Sequence, residues 1–151
     1  MNARFDERAQ LAAVNFRKLL DSTLHPVRGH ALADQKGIYV LYEGEEPVHV
    51  GRTRRIRQRL RAHCTPNHNS ASFAFKRARR ELNRKATYSP IDSRAALQQD
   101  PIFGECFRKH VTAVGEMHFR FLSVEDPIDQ YLLELYAVLE LGLPEDEFDT
   151  H

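Results

Sequence analysis

The chain has 151 residues, 42% of them hydrophobic and 28% charged, with a formal net charge of +1. That is enough for one domain with a proper core and too little for two comfortable ones. No apolar run reaches the roughly eighteen residues of a membrane span, the charged start MNARFDERAQ is not a secretory signal, and the two cysteines, Cys64 and Cys106, argue against a disulfide scaffold and suit the reducing cytoplasm.

Residues 5–20, FDERAQLAAVNFRKLL, space Leu11, Ala12, Val14, Leu19 and Leu20 at loosely helical intervals, which predicts an amphipathic N-terminal helix. Pro26 and Gly29 mark the stretch up to residue 36 as a connecting loop, so 1–36 read as a leading segment. GIYVLY at 37–42 and PVHV at 47–50 are rich in β-branched and aromatic residues and read as two strands, with EGEE supplying the turn. A three-residue loop, Glu43 to Glu45, with Gly44 available for a positive φ, would set Val40 opposite Val48 and Tyr39 opposite His49. Alternation puts Ile38, Val40 and Tyr42 on one face, with Tyr39, Leu41 and His49 on the other, more polar one.

The next helix is expected from Thr53, as N-cap, to about His63. Ile56 and Leu60 would face the core, while Arg55, Arg59 and His63 form a second stripe one turn apart. Hairpin and helix would together aim Tyr39, His49, Arg59 and His63 at one concave spot. CTPNHNSAS is a polar loop, and FAFKRARRELNRK reads as a second, strongly basic helix. Residues 86–104 contain Pro90, Pro101 and Gly104 and read as loop with a short helix near Ala95. GEMHFRFLSVE alternates Met117, Phe119 and Phe121 with polar residues, a third strand. DPIDQYLLELYAVLELG is the final helix, with Asp126 as cap, Pro127 in the first turn and Gly142 at the end. Its expected apolar stripe is Ile128, Leu132, Leu135, Tyr136 and Leu139, with Glu134 at the stripe's edge. The fold class is therefore α/β (α+β): a small, mainly antiparallel three-stranded sheet flanked by helices.

Charge is unevenly spread. Between Arg52 and Lys85 the only acid is Glu81, whereas from Glu116 onward the only Lys or Arg is Arg120. Such blocks are either solvated faces that neutralise each other or a basic surface for a polyanion. His63, Cys64, His68 and Cys106 are conceivable zinc ligands, but their spacing follows no zinc-ligand pattern.

Taken in order, these residues resemble the GIY-YIG nuclease family. GIY stands at 37–39, and after a nine-residue gap HVG at 49–51 takes the place of the second triplet, with His49 where a tyrosine is usual. The family's G-[KR]-T-x-x-[LI]-x-x-R-L continuation matches GRTRRIRQRL at 51–60, and a late LLE on the last helix matches at 132–134. Arg59-x3-His63 is similar to a restriction-enzyme-like subset. The resemblance covers residues 37–64 and 116–148, and it makes 37–151 a nuclease-like domain with a basic helical insertion at about 65–115. The tail asparagine of many members has Asp146 as its nearest equivalent here.

The resemblance implies a Mg²⁺ (or Mn²⁺)-dependent endonuclease that hydrolyses DNA phosphodiester bonds. Glu134 would hold the metal, the Lewis acid at the scissile phosphate. Tyr39 would activate or orient the attacking water, and His49 would share a hydrogen bond with Tyr39 or the phosphate. Arg59 would stabilise the transition-state charge through its planar fork, and His63 would assist proton transfer. Arg52, Arg55, Lys76, Arg77 and Arg80 would hold the DNA backbone without reading sequence. A homodimer would ease cutting of both strands. Two other classes stay open: a basic nucleic-acid-binding module that does not cleave, and an interaction protein whose basic surface meets an acidic partner.

Overall fold

The computed structural model describes residues 2–84, 87 and 89–145. It is a mixed α/β structure, and the chain divides into two compact units, Met1–Arg57 with Met117–His151, and Gln58–Glu116. Asp146 lies outside the described residues. No helix among the described residues is long and apolar enough to cross a membrane.

The first unit is built on a sheet. Strands β1 (His25–Pro26), β2 (Gly37–Glu43), β3 (Glu46–Thr53) and β4 (His118–Ser123) run in the order β1-β4-β2-β3, every pair antiparallel. The sheet thus has four strands among the described residues, not the expected three. The addition is a two-residue edge strand pairing His25 with Phe119 and Pro26 with His118. Two residues are too few to show alternation, and a proline belongs at an edge, where no N–H is needed for a ladder.

The β2–β3 hairpin also differs from expectation. Its loop is the two residues Gly44 and Glu45 between the pair Glu43 and Glu46, and Gly44 carries a φ of +62°. A glycine with positive φ at the first central position suits a II′ turn, whose twist matches that of the strands. An irregularity between Leu41 and Tyr42 then leaves Val48 as the residue the ladder skips. Val40 therefore faces Val50, not Val48, and Tyr39 faces Gly51, not His49. A slip of one residue would have turned every β3 side chain to the wrong face. The shorter loop and the bulge each contribute one, so Tyr39 and His49 still share a face.

Helices α1 (Ala3–Asp21) and α6 (Pro127–Glu140) supply the core on the Ile38 face. Leu19, Ile38, Val40, Val50, Val124, Leu133, Ala137 and Val138 form one buried cluster, with Phe16, Tyr42 and Leu122 packed against it. Arg8 joins the two helices through Asp126 at 3.1 Å and Asp129 at 2.8 Å. The Asp126 side chain accepts from the N–H groups of Ile128 and Asp129, capping α6. At the other end Leu143 N–H bonds to Val138 O and Gly142 N–H to Leu139 O, with Gly142 at φ +66°. That is a Schellman closure, completed by Leu143 packing on the core cluster.

The inward face of α6 is not the one expected. Gln130, Leu133, Ala137 and Val138 are buried, whereas Ile128, Leu135 and Leu139 are 54%, 44% and 56% exposed. Apolar residues reach round both sides of the arc that carries Asp129, Gln130, Glu134 and Glu140, so period alone does not choose a face. The Gln130 side chain helps fix it, donating to the Val124 carbonyl from a buried position. The opposite sheet face is likewise less polar than its sequence suggests. Tyr39, Leu41 and Phe119 are fully buried, and the rings of His25 and His30 pack on Phe119 at 5.3 and 5.2 Å.

Helix α2 (Ile56–His63) begins two residues later than an N-cap at Thr53 implies. Thr53 ends β3 instead of capping the helix, and its Oγ1 accepts from Arg55 N–H at 3.0 Å. The second unit adds α3 (Ser72–Leu82), α4 (Arg94–Gln99) and α5 (Pro101–Gly115). Phe75 packs on Phe103 and Phe107 at ring distances of 5.0 and 5.7 Å, joining α3 to α5. The segment expected to be loop up to Gly104 therefore holds the start of a long helix. Pro101 sits where a helix needs no N–H, and the Asp100 side chain caps the N–H groups of Ile102 and Phe103. Gly104 is a contact, not a break: a Cβ there would meet the Gln98 carbonyl oxygen at 2.6 Å.

Candidate functional site

In the first unit both triplet glycines have a steric reason. A Cβ on Gly37 would meet the Leu122 carbonyl oxygen at 2.0 Å, so only glycine lets β4 approach. A Cβ on Gly51 would meet the Tyr39 ring and hydroxyl oxygen at 2.4 Å. The Tyr39 ring thus lies over the Gly51 backbone, its cross-strand partner. His49, two residues from Gly51 and half-buried, brings its ring centroid within 5.8 Å of the Tyr39 ring. These contacts join Tyr39 and His49 on the side away from the Ile38 core.

Arg52 pairs with Ile38 in the ladder and so points to the face that α6 covers. Its Nε lies 3.3 Å from Glu134 Oε2, and its guanidinium stacks on the Tyr131 ring at 3.8 Å from the centroid. Glu134 thus meets Arg52, and Tyr39 meets His49. As a donor Glu134 suits a hard cation: a half-buried carboxylate of this kind can take an ion that keeps most of its water. The Arg52 guanidinium is the cation now held there. Arg55 is exposed at the turn into α2.

In the second unit the Arg59 guanidinium donates to Ser72 Oγ at 2.9 Å and to Ser70 O at 3.5 Å. His63 is fully buried, its ring edge-on to Phe73 at 6.5 Å. On α3, Lys76 and Arg77 are half-buried and Arg80 exposed, and the Arg77 guanidinium lies 5.6 Å from the Phe73 ring centroid.

The four-residue zinc alternative is not assembled. His68 is tied to Gln98 Oε1 through both its backbone N–H and Nδ1, at 2.8 and 2.6 Å. Cys106 points instead at Glu81: its thiol donates to Glu81 Oε2 at 2.5 Å. His110 Nε2 reaches the same oxygen at 3.1 Å, and Lys109 Nζ lies 3.6 Å from Oε1. Burial, then the Glu81 carboxylate, pushes the Cys106 thiol up to about 11. The hydrogen bonds from Cys106 and His110 hold Glu81 below the usual carboxylate range. The cluster was invisible from sequence because its signal, Cys106-x3-His110 on one helical face, exists only once α5 is known to be a helix.

The chain matches no protein-family model, no curated protein and no solved structure at a significant level.

Proposed function

We propose that the chain is a divalent-metal-dependent endonuclease acting on DNA, similar to the GIY-YIG enzymes. The observation that carries the reading is the hairpin. GIY and HVG lie on adjacent antiparallel strands, with the Tyr39 ring seated on Gly51 beside His49. Packing alone does not require a tyrosine hydroxyl and an imidazole side by side there. On this reading Tyr39 takes or orients the proton of the attacking water, with His49 as its hydrogen-bonding neighbour. Arg59 offers its guanidinium to the phosphate, and Ser70 and Ser72 hold that group in place meanwhile. Glu134 would hold the cation, Mg²⁺ or Mn²⁺, which supplies Lewis-acid polarisation of the scissile phosphate. Lys76, Arg77 and Arg80 bind backbone phosphates.

The second reading is a DNA-binding module that does not cleave. Two observations favour it: Tyr39 is fully buried, and the Glu134 carboxylate already holds Arg52. A plasmid-nicking assay with Mg²⁺ or EDTA separates the two. The nuclease needs metal, and Tyr39→Phe, Arg59→Ala and Glu134→Ala each slow it by about 10²–10³-fold. Tight DNA binding with no nicking by the wild type would replace the first reading with the second. Equal nicking by wild type and variants would remove the site assignment.

A further inference from the structure

We propose that Glu81, Cys106 and His110 form a binding site for a soft divalent cation of the zinc class, with one coordination position left to solvent. Helix α5 sets Cys106 and His110 one turn apart on the same face, and α3 brings Glu81 to them. The three ligand atoms all lie within 4.8 Å of one another. A tetrahedral zinc ion with Zn–S, Zn–N and Zn–O bonds of about 2.0–2.3 Å spaces its ligands about 3.4–3.6 Å apart. The present separations, 2.5 Å from sulfur to Oε2 and 3.1 Å from Nε2 to Oε2, are somewhat too tight. Withdrawal of the Glu81 carboxylate lengthens both. That side chain is 44% exposed and has room to move towards solvent.

The donor set decides the metal. A thiolate with an imidazole selects zinc over Mg²⁺ or Ca²⁺, which prefer oxygen alone. The Cys106 thiol proton now occupies the line between sulfur and Oε2. Binding replaces it with the cation: the S–H bond breaks, a sulfur–metal bond forms, and the proton leaves to solvent. Lys109 sits on the second carboxylate oxygen; it is 72% exposed and can swing outward. The site is separate in chemistry from Glu134, which would hold a hard ion through oxygen, and it stands whether or not the chain cuts DNA.

The test is a Co²⁺ titration of the full-length reduced protein, read by the near-ultraviolet thiolate-to-cobalt charge-transfer band, followed by displacement with Zn²⁺. The expected result is a band that saturates at about one equivalent per chain and vanishes on adding Zn²⁺. It persists in Cys64→Ser and is lost in Cys106→Ser. His110→Ala and Glu81→Gln weaken Co²⁺ binding by at least about tenfold. If Cys106→Ser does not fold, the His110→Ala titration makes the same decision. A wild-type protein with no thiolate band overturns the proposal. So does a band that follows Cys64, or one that His110→Ala leaves unchanged.

Discussion

Gly51 shows how a single residue couples the hairpin to the site. Its hydrogen stands where a methyl would lie 2.4 Å from the Tyr39 ring. Gly51→Ala should therefore force the ring aside and cost about 1–3 kcal/mol, as overpacking usually does, read as a lower urea midpoint with unchanged slope. Adding Tyr39→Leu, which removes the ring, should recover part of that loss. A Gly51→Ala variant as stable as the wild type would mean the ring does not rest on the glycine. Tyr39 and Gly51 were both legible in the sequence as a motif. Their cross-strand contact was not, because the expected loop length placed His49 there instead. His63 follows the same pattern: the Arg59-x3-His63 spacing is legible in the sequence, whereas its burial with the ring edge-on to Phe73 is not.

In helix α6 the ends and the inward face are set by different partners. Its ends were readable because caps are local: Asp126, Pro127 and Gly142 act within a turn of themselves. Its inward face was not, since its apolar residues offer more than one stripe and only its neighbours select one. Leu133→Ala should cost about 2–5 kcal/mol, as a buried truncation does. Leu139→Ala, at 56% exposure, should stay within about 0.5 kcal/mol. Urea denaturation of the pair distinguishes the observed face from the expected one, and equal losses would mean that neither side is the core. The cap also makes a pH statement. The Asp129 and Ile128 N–H groups, with Arg8, hold the Asp126 carboxyl below the usual aspartate range. A carboxyl depressed in the fold stabilises it above the unfolded aspartate pKa near 4, and that support fades as pH falls through the folded value. Thermal melts of Asp126→Ala should thus lie below wild type at neutral pH and converge with it as the solution is made acid enough to protonate the folded carboxyl. A constant gap would assign the effect to something other than the carboxylate.

At the scale of the whole molecule, the net charge of +1 conceals a basic stretch between Arg52 and Lys85. If the protein meets DNA through it, log K should fall linearly with log salt, with a slope of about −0.9 per phosphate neutralised. Lys76→Ala and Arg80→Ala should each flatten that slope by about one unit without changing sequence preference. A slope unmoved by either would place the DNA contact elsewhere.

Near neighbours along the chain suffice for α1 and the ends of α6, the β2 and β4 strands, the glycine at the hairpin turn, and the basic character of α3. Other features depend on partners distant in the chain. The two-residue edge strand needed β4 to pair with, and the hairpin register combined a short loop with a bulge. Helix α5 starts on its own cap, Asp100 with Pro101, while the closeness of Gly104 to the Gln98 carbonyl and the packing of Phe103 and Phe107 on Phe75 exist only in the folded chain. Cys106 found Glu81 rather than the other candidate ligands for the same reason. Local signals are energies within one turn or one strand pair, whereas a face, a register or a ligand set is chosen by burial against chain far away in sequence.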